Sequence, residues 1–155
     1  YLESINSETD WVVVASEKQE KGQAKNQMPL YSPEGKGVYM SVAIRMRESL
    51  EQLKTFLAYN SKAVHQAILK VSGVDSVIND ENNILYNNRK LCGIMTDMVI
   101  EAESQTIKQI IIGIGIYVHE AADGNIALTE ITGTYCNRSE LIACILNELY
   151  RYYHQ

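Results

Sequence analysis

Between Leu50 and Val71, eight apolar residues (Leu50, Leu53, Phe56, Leu57, Val64, Ala67, Ile68 and Val71) recur at helical spacing. One buried face of that length predicts a single long amphipathic helix over Glu48–Ser72, closed by Gly73. The segments around it read as strands. Trp11–Ala15 is β-branched and compact, and Val38–Met46 alternates. Ile84–Tyr86 and Lys90–Ile94 flank Asn87-Asn88, a pair that tolerates positive φ and suits a tight hairpin. Met95–Glu103 and Ile107–Val118 form a second pair around Ser104-Gln105. A final helix opens at Arg138-Ser-Glu-Leu, with Leu141, Ile142, Ile145, Leu146 and Leu149 on one face. Strands grouped around one long helix, without βαβ alternation, predict an α+β domain on a mixed, mainly antiparallel sheet.

The 155 residues make one domain, long enough to bury a core without a disulfide or metal staple. Fourteen basic against nineteen acidic residues give a net charge of −5, which argues against a nucleic-acid-binding or polybasic membrane surface. An anion would have to be held by local lysines or backbone N–H groups. Cys92, Cys136 and Cys144 lack C-x-x-C spacing and read as reduced thiols of a cytoplasmic protein. His65, His119 and His154 are scattered and offer no zinc ligand set. The longest apolar run, Ile110–Val118, is nine residues broken by two glycines, too short to span a bilayer. The chain opens on Tyr1 without a basic or apolar leader, and reads as beginning inside a longer protein.

Familiar catalytic signatures are missing. Gly113-x-Gly115 has neither the third glycine nor the helix that a dinucleotide fingerprint needs. Glycines within a strand mark a close approach of another backbone or of a ligand. The polar segment Glu17–Pro33 is long for a connection inside a compact domain, and loops of that size are often functional.

Two stretches and a third strand carry a family resemblance. Gln19-Glu-Lys-Gly22-Gln-Ala-Lys25-Asn-Gln-Met-Pro-Leu-Tyr31-Ser32-Pro33-Glu-Gly35-Lys-Gly37-Val-Tyr39-Met40-Ser41 resembles the biotin–protein ligase signature Q-x-x-G-R-G-R-x-G-R-x-W/F-x-S-P-x-G-x-G-x-Y-x-S. Arg89-Lys90-Leu91-Cys92-Gly93-Ile94-Met95-Thr96 is similar to that family's K-K-x-C/A-G-I-L-x-E, and Ile111–Val118 to its V-x-G-I-G-I-N-V. The resemblance implies a class II synthetase-like fold over residues 1–155, without a helix-turn-helix before it or a small β-domain after it. It implies a ligase that joins biotin and ATP into biotinyl-adenylate and passes biotin to a lysine of a biotin carboxyl carrier domain, with Mg²⁺ accompanying ATP. Nucleic acid and membrane are not among the implied partners. Family members pair through sheet edges, so a homodimer is included.

Carried over position by position, the resemblance puts Lys90 between the biotin carboxylate and the α-phosphate. Gln19, Gly22, Gly93, Gly113 and Gly115 fall at biotin-facing positions; Lys25, Asn82, Asn83 and Tyr117 fall at ATP-facing ones. The ATP-facing positions depart most from the family. The loop's G-R-G-R is Gly22-Gln-Ala-Lys25, and a lysine cannot reproduce a bidentate guanidinium–phosphate contact. In the ungapped register of the K-W-x-N-D element Asn82 matches and Asn83 replaces the aspartate, a loss for Mg²⁺, which favours carboxylate oxygen. The alternative register places Asn79-Asp80 there, with Asp80 as the acid. Tyr117 stands where the family has asparagine. These departures leave two alternatives beside the ligase: a non-catalytic biotin binder with a degraded ATP site, and a lipoate or octanoate ligase or transferase.

Overall fold

The computed structural model describes residues 10–23 and 31–155. Six strands, β1 (Trp11–Ser16), β2 (Gly37–Ser49), β3 (Val77–Ile78), β4 (Ile84–Tyr86), β5 (Arg89–Glu101) and β6 (Thr106–Tyr117), form one sheet in the order β1-β2-β6-β5-β4-β3. Every pairing among them is antiparallel. Three α-helices accompany it: α1 (Leu53–Ser72), α2 (Leu128–Thr132) and α3 (Arg138–Tyr153). Among the described residues none of them is long and apolar enough to cross a membrane.

The alternation of each long strand sorts its side chains between two faces. Val42 and Ile44 of β2, Ile110, Ile112 and Ile116 of β6, and Cys92 of β5 point to the side where Val64, Ala67 and Ile68 of α1 meet Leu141, Ile145 and Leu149 of α3. Burial there raises the Cys92 thiol pKa well above its ordinary value, with the Lys90 charge pulling the other way. Between the helices, Glu148 is 3% exposed and paired with Lys70 and Arg151.

The helix predicted from Glu48 starts later. β2 runs on through Ser49, whose side chain accepts from the Glu51 N–H at 3.3 Å, and a 3₁₀ turn over Leu50–Gln52 leads into α1. Gly73 closes α1 in the left-handed conformation at φ 73°, as its position predicts. Asn87 and Asn88, at φ 50° and 61°, make the tight β4–β5 hairpin. The two strands expected on either side of Met95 are one thirteen-residue strand, because β6 is long enough to pair with it from Cys92 to Glu101. β3 and α2 have no counterpart in the sequence reading; at two and five residues they are too short for periodicity to register.

One buried polar cluster ties both main helices to the sheet. Asn60 of α1, 0% exposed, donates through Nδ2 to Thr96 Oγ1 at 3.0 Å and accepts at Oδ1 from Tyr153 O–H at 2.7 Å. An Asn60→Ala change leaves both hydroxyls short of a partner and is expected to cost about 2–3 kcal/mol. A thermal unfolding midpoint lower by about 5–10 °C is the check on this.

Candidate functional site

The sheet face opposite α1 and α3 carries the site. Gly93 and Met95 of β5 stand opposite Gly115 and Gly113 of β6, which in turn face Tyr39 and Ser41 of β2. Three of these six positions are glycines, so the middle of the face is bare backbone and forms the floor of a cavity of about 230 Å³. Gln19, Gln23, Asn83, Lys90, Met95, Asp97 and Ile111 contribute to its lining.

Lys90 reaches this face because β5 is irregular. Plain alternation would send residues 90 and 93 to opposite sides. Against β4, however, the register jumps from Ile84↔Cys92 to Leu85↔Lys90, leaving Leu91 as the extra residue of a bulge. Leu91 and Cys92 both enter the core, and Lys90 and Gly93 both line the cavity. A Cβ added at Gly93 would lie 3.0 Å from both Cε and Nζ of Lys90, so the absence of a side chain there is what lets the lysine fold across the strand. Its ammonium belongs to none of the ion pairs among the described residues.

Gln19 is held by paired flanks of the loop. Its N–H donates to Ser32 O at 3.4 Å, its own carbonyl accepts from Ser32 Oγ at 3.2 Å, and Gly35 N–H donates to Glu17 O at 3.1 Å. Arg138 fixes the base, donating to Glu17 Oε2 at 2.8 Å and to Gly37 O at 3.2 Å. Gly22 lies beneath Gln19, whose Oε1 would be 2.1 Å from an added Cβ. Lys25 lies outside the described residues.

A narrower cleft of about 10 Å³ adjoins the cavity, lined by Tyr31, Tyr39, Ile116 and Tyr117, and it shares Lys90, Gly93 and Gly115 with the cavity. Tyr39 donates to Pro33 O at 2.8 Å, and burial pushes its phenol up to about 12. Tyr31 donates to Glu120, which raises its phenol, and the Tyr117 phenol oxygen (Oη) accepts from Asn125 Nδ2 at 3.2 Å. Tyr117 thus lines the same cleft as Lys90, as part of an aromatic wall.

The 79–83 turn separates Asn82 from Asn83. Asn79 Oδ1 accepts from the N–H groups of Glu81 and Asn83 at 3.1 and 2.9 Å, and Asn82 sits at φ 62°. That twist brings Asn82 Oδ1 to Ser61 of α1, which donates to it at 3.4 Å, and Asn82 lines neither the cavity nor the cleft. Asn83 alone of the pair faces the cavity. Asp80 is exposed and lines neither space. Among the described residues no group of three His, Cys, Asp or Glu side chains is placed to hold a metal ion. Met95, Asp97 and Ile111 were not singled out as site residues in the sequence, although their two-residue steps from Gly93 and Gly113 were the signal that could have found them; Ser41 comes in only through its pairing with Gly113.

An antiparallel sheet with helices on one face, and on the other a glycine-floored cavity beneath a half-buried lysine, defines an α+β domain. The chain belongs to the biotin/lipoate A/B protein ligase family, whose profile matches residues 1–116. It is 31% identical over 149 residues to the bifunctional ligase/repressor BirA of Bacillus subtilis, covering 91% of this chain and 45% of that protein. The chain thus spans less than half the length of that relative. In fold it is similar to the biotin protein ligase from Aquifex aeolicus in complex with biotin and ATP, at a TM-score of 0.74 and 21% identity, covering 90% of this chain and 59% of that one. It is also similar to the Leishmania major biotin protein ligase in complex with biotinyl-5-AMP, at a TM-score of 0.77 and 19% identity, covering 91% and 64% of the two chains. The class II synthetase-like architecture expected from the sequence is therefore the one found.

Proposed function

We propose that this domain is the catalytic core of a biotin–protein ligase, forming biotinyl-adenylate from biotin and ATP and transferring biotin to a lysine of a carboxyl carrier domain. The observation that carries this reading is that Lys90, Gly93 and Gly115 line both the cavity and the aromatic cleft. A carboxylate lying in the first and a nucleotide in the second would meet at the Lys90 ammonium. Family membership and the ligands held by the structural relatives support it.

The chemistry follows from that junction. A carboxylate oxygen attacks the α-phosphorus, the P–O bond to the β-phosphate breaks, and pyrophosphate leaves. Two anions must approach each other in this step, and the Lys90 cation offsets their repulsion where solvent is partly excluded. The carrier's neutral lysine amine then attacks the acyl carbon, forming the amide and releasing AMP and a proton. Mg²⁺ enters with ATP as the substrate complex, and no step is assigned to a metal held by the protein.

Calorimetric titration with biotin, alone and with Mg-ATP, followed by an assay for pyrophosphate release, tests the reading. Binding with pyrophosphate release is expected. Biotin binding that is indifferent to ATP, without release, would instead establish a binding protein; preference for lipoate or octanoate would move the chain to the other branch of its family.

A further inference from the structure

Ligation chemistry uses one end of the cavity; the other end carries an acid. Gly93, Met95 and Asp97 step along β5 on the cavity side, opposite Gly115, Gly113 and Ile111 of β6. Each two-residue step advances about 6.8 Å, so Asp97 lies roughly 14 Å along the strand from Gly93. Lys90 is folded over Gly93, and hence the single cation and the single acid of the described lining stand at opposite ends. Glycines and the Met95 side chain occupy the stretch between them. Asp97 takes part in no ion pair or side-chain hydrogen bond among the described residues.

Such a cavity suits a ligand that is anionic at one end, apolar in the middle and rich in hydrogen-bond donors at the other. Biotin has that order: a carboxylate, an alkyl chain, and a cyclic urea with two N–H groups. Lipoate and octanoate share the carboxylate and the chain, but offer no donor at the far end.

We propose that Asp97 is a specificity-determining residue, accepting a hydrogen bond from the cyclic urea N–H and thereby selecting biotin over donor-free acyl chains; this rests on the reading of the cavity as the biotin site. The discrimination is physical. A carboxylate that must shed water against an apolar ring gains nothing in return, whereas a urea N–H restores the lost hydrogen bond in charge-assisted form. Gln19, which lines the same cavity, has an amide N–H able to meet the urea carbonyl.

The test is calorimetric titration of wild type, Asp97→Ala, Asp97→Asn and Lys90→Ala with biotin, lipoic acid and octanoate as separate probes. Asp97→Ala is expected to weaken biotin binding about 10-fold while leaving the two donor-free acids unchanged or slightly tighter. Asp97→Asn keeps an acceptor oxygen and recovers part of the loss. Lys90→Ala weakens all three acids alike, because each has the carboxylate. A biotin affinity that changes less than about 2-fold in Asp97→Ala, or a loss shared equally by all three probes, overturns the assignment alone. Wild type that fails to bind biotin overturns both the assignment and the ligase reading.

Discussion

Replacing Lys90 by alanine is expected to slow ATP-dependent adenylate formation by about 100- to 1000-fold, the range for removing one preorganised charge stabiliser from a reacting centre. The lysine's cation stands where the cavity and the cleft join, and nothing else in the described lining of either carries a positive charge. The fold should not notice the change. Lys90 is half-buried, lies across a glycine and makes no ion pair among the described residues, so its removal is expected to alter stability by less than about 0.5 kcal/mol. Pyrophosphate release at saturating biotin and Mg-ATP, beside a thermal unfolding curve, separates the two effects. Equal turnover in wild type and variant would remove Lys90 from the chemistry. Lys90→Arg is a sharper probe: charge is kept, but the planar guanidinium is bulkier than the compact ammonium that fits over Gly93.

The second large effect is expected at the cavity floor. A Cβ added at Gly113 meets nothing closer than Met95 Cβ at 3.8 Å, an ordinary contact, so the backbone has no need to shift. A leucine there would extend into the space between Met95 and Ser41 and occupy volume that the ligand needs. Gly113→Leu should therefore weaken biotin binding by about 100-fold or more. It should also hold or slightly raise the unfolding midpoint, because glycine within a strand weakens it. Binding and stability moving in opposite directions is the signature of a floor kept bare for a ligand. A variant that binds biotin as wild type does would mean the ligand lies elsewhere.

Much of this architecture is legible in the chain itself. The period of Leu53–Val71 gives α1, Gly73 its end, Asn87-Asn88 a hairpin turn, and the apolar face after Arg138 gives α3. Local chemistry suffices for these, because each depends on neighbours within one turn or one hairpin. Glycines at 93, 113 and 115 mark a place of close approach, but their meaning as a common floor depends on register. That register pairs Gly93 with Gly115 and Gly113 with Met95, and long-range pairing of β5 with β6 sets it.

What the residues determined alone is a set of elements, a mixed, mainly antiparallel class of sheet, and a pattern whose resemblance pointed to a lysine beside bare strands. The tertiary structure decided which of these act together. Strict alternation puts Lys90 and Gly93 on opposite faces, and only the bulge at Leu91, a product of pairing with β4, turns them to the same one. Asn82 and Asn83 are identical residues in adjacent positions, yet one bonds to α1 and the other faces the cavity. Asp97 stands at the last position of the K-K-x-C/A-G-I-L-x-E pattern, but no role was read for it from the sequence. It became the far end of a ligand cavity because β5 continues unbroken past Met95, carrying it along the floor that Lys90 begins.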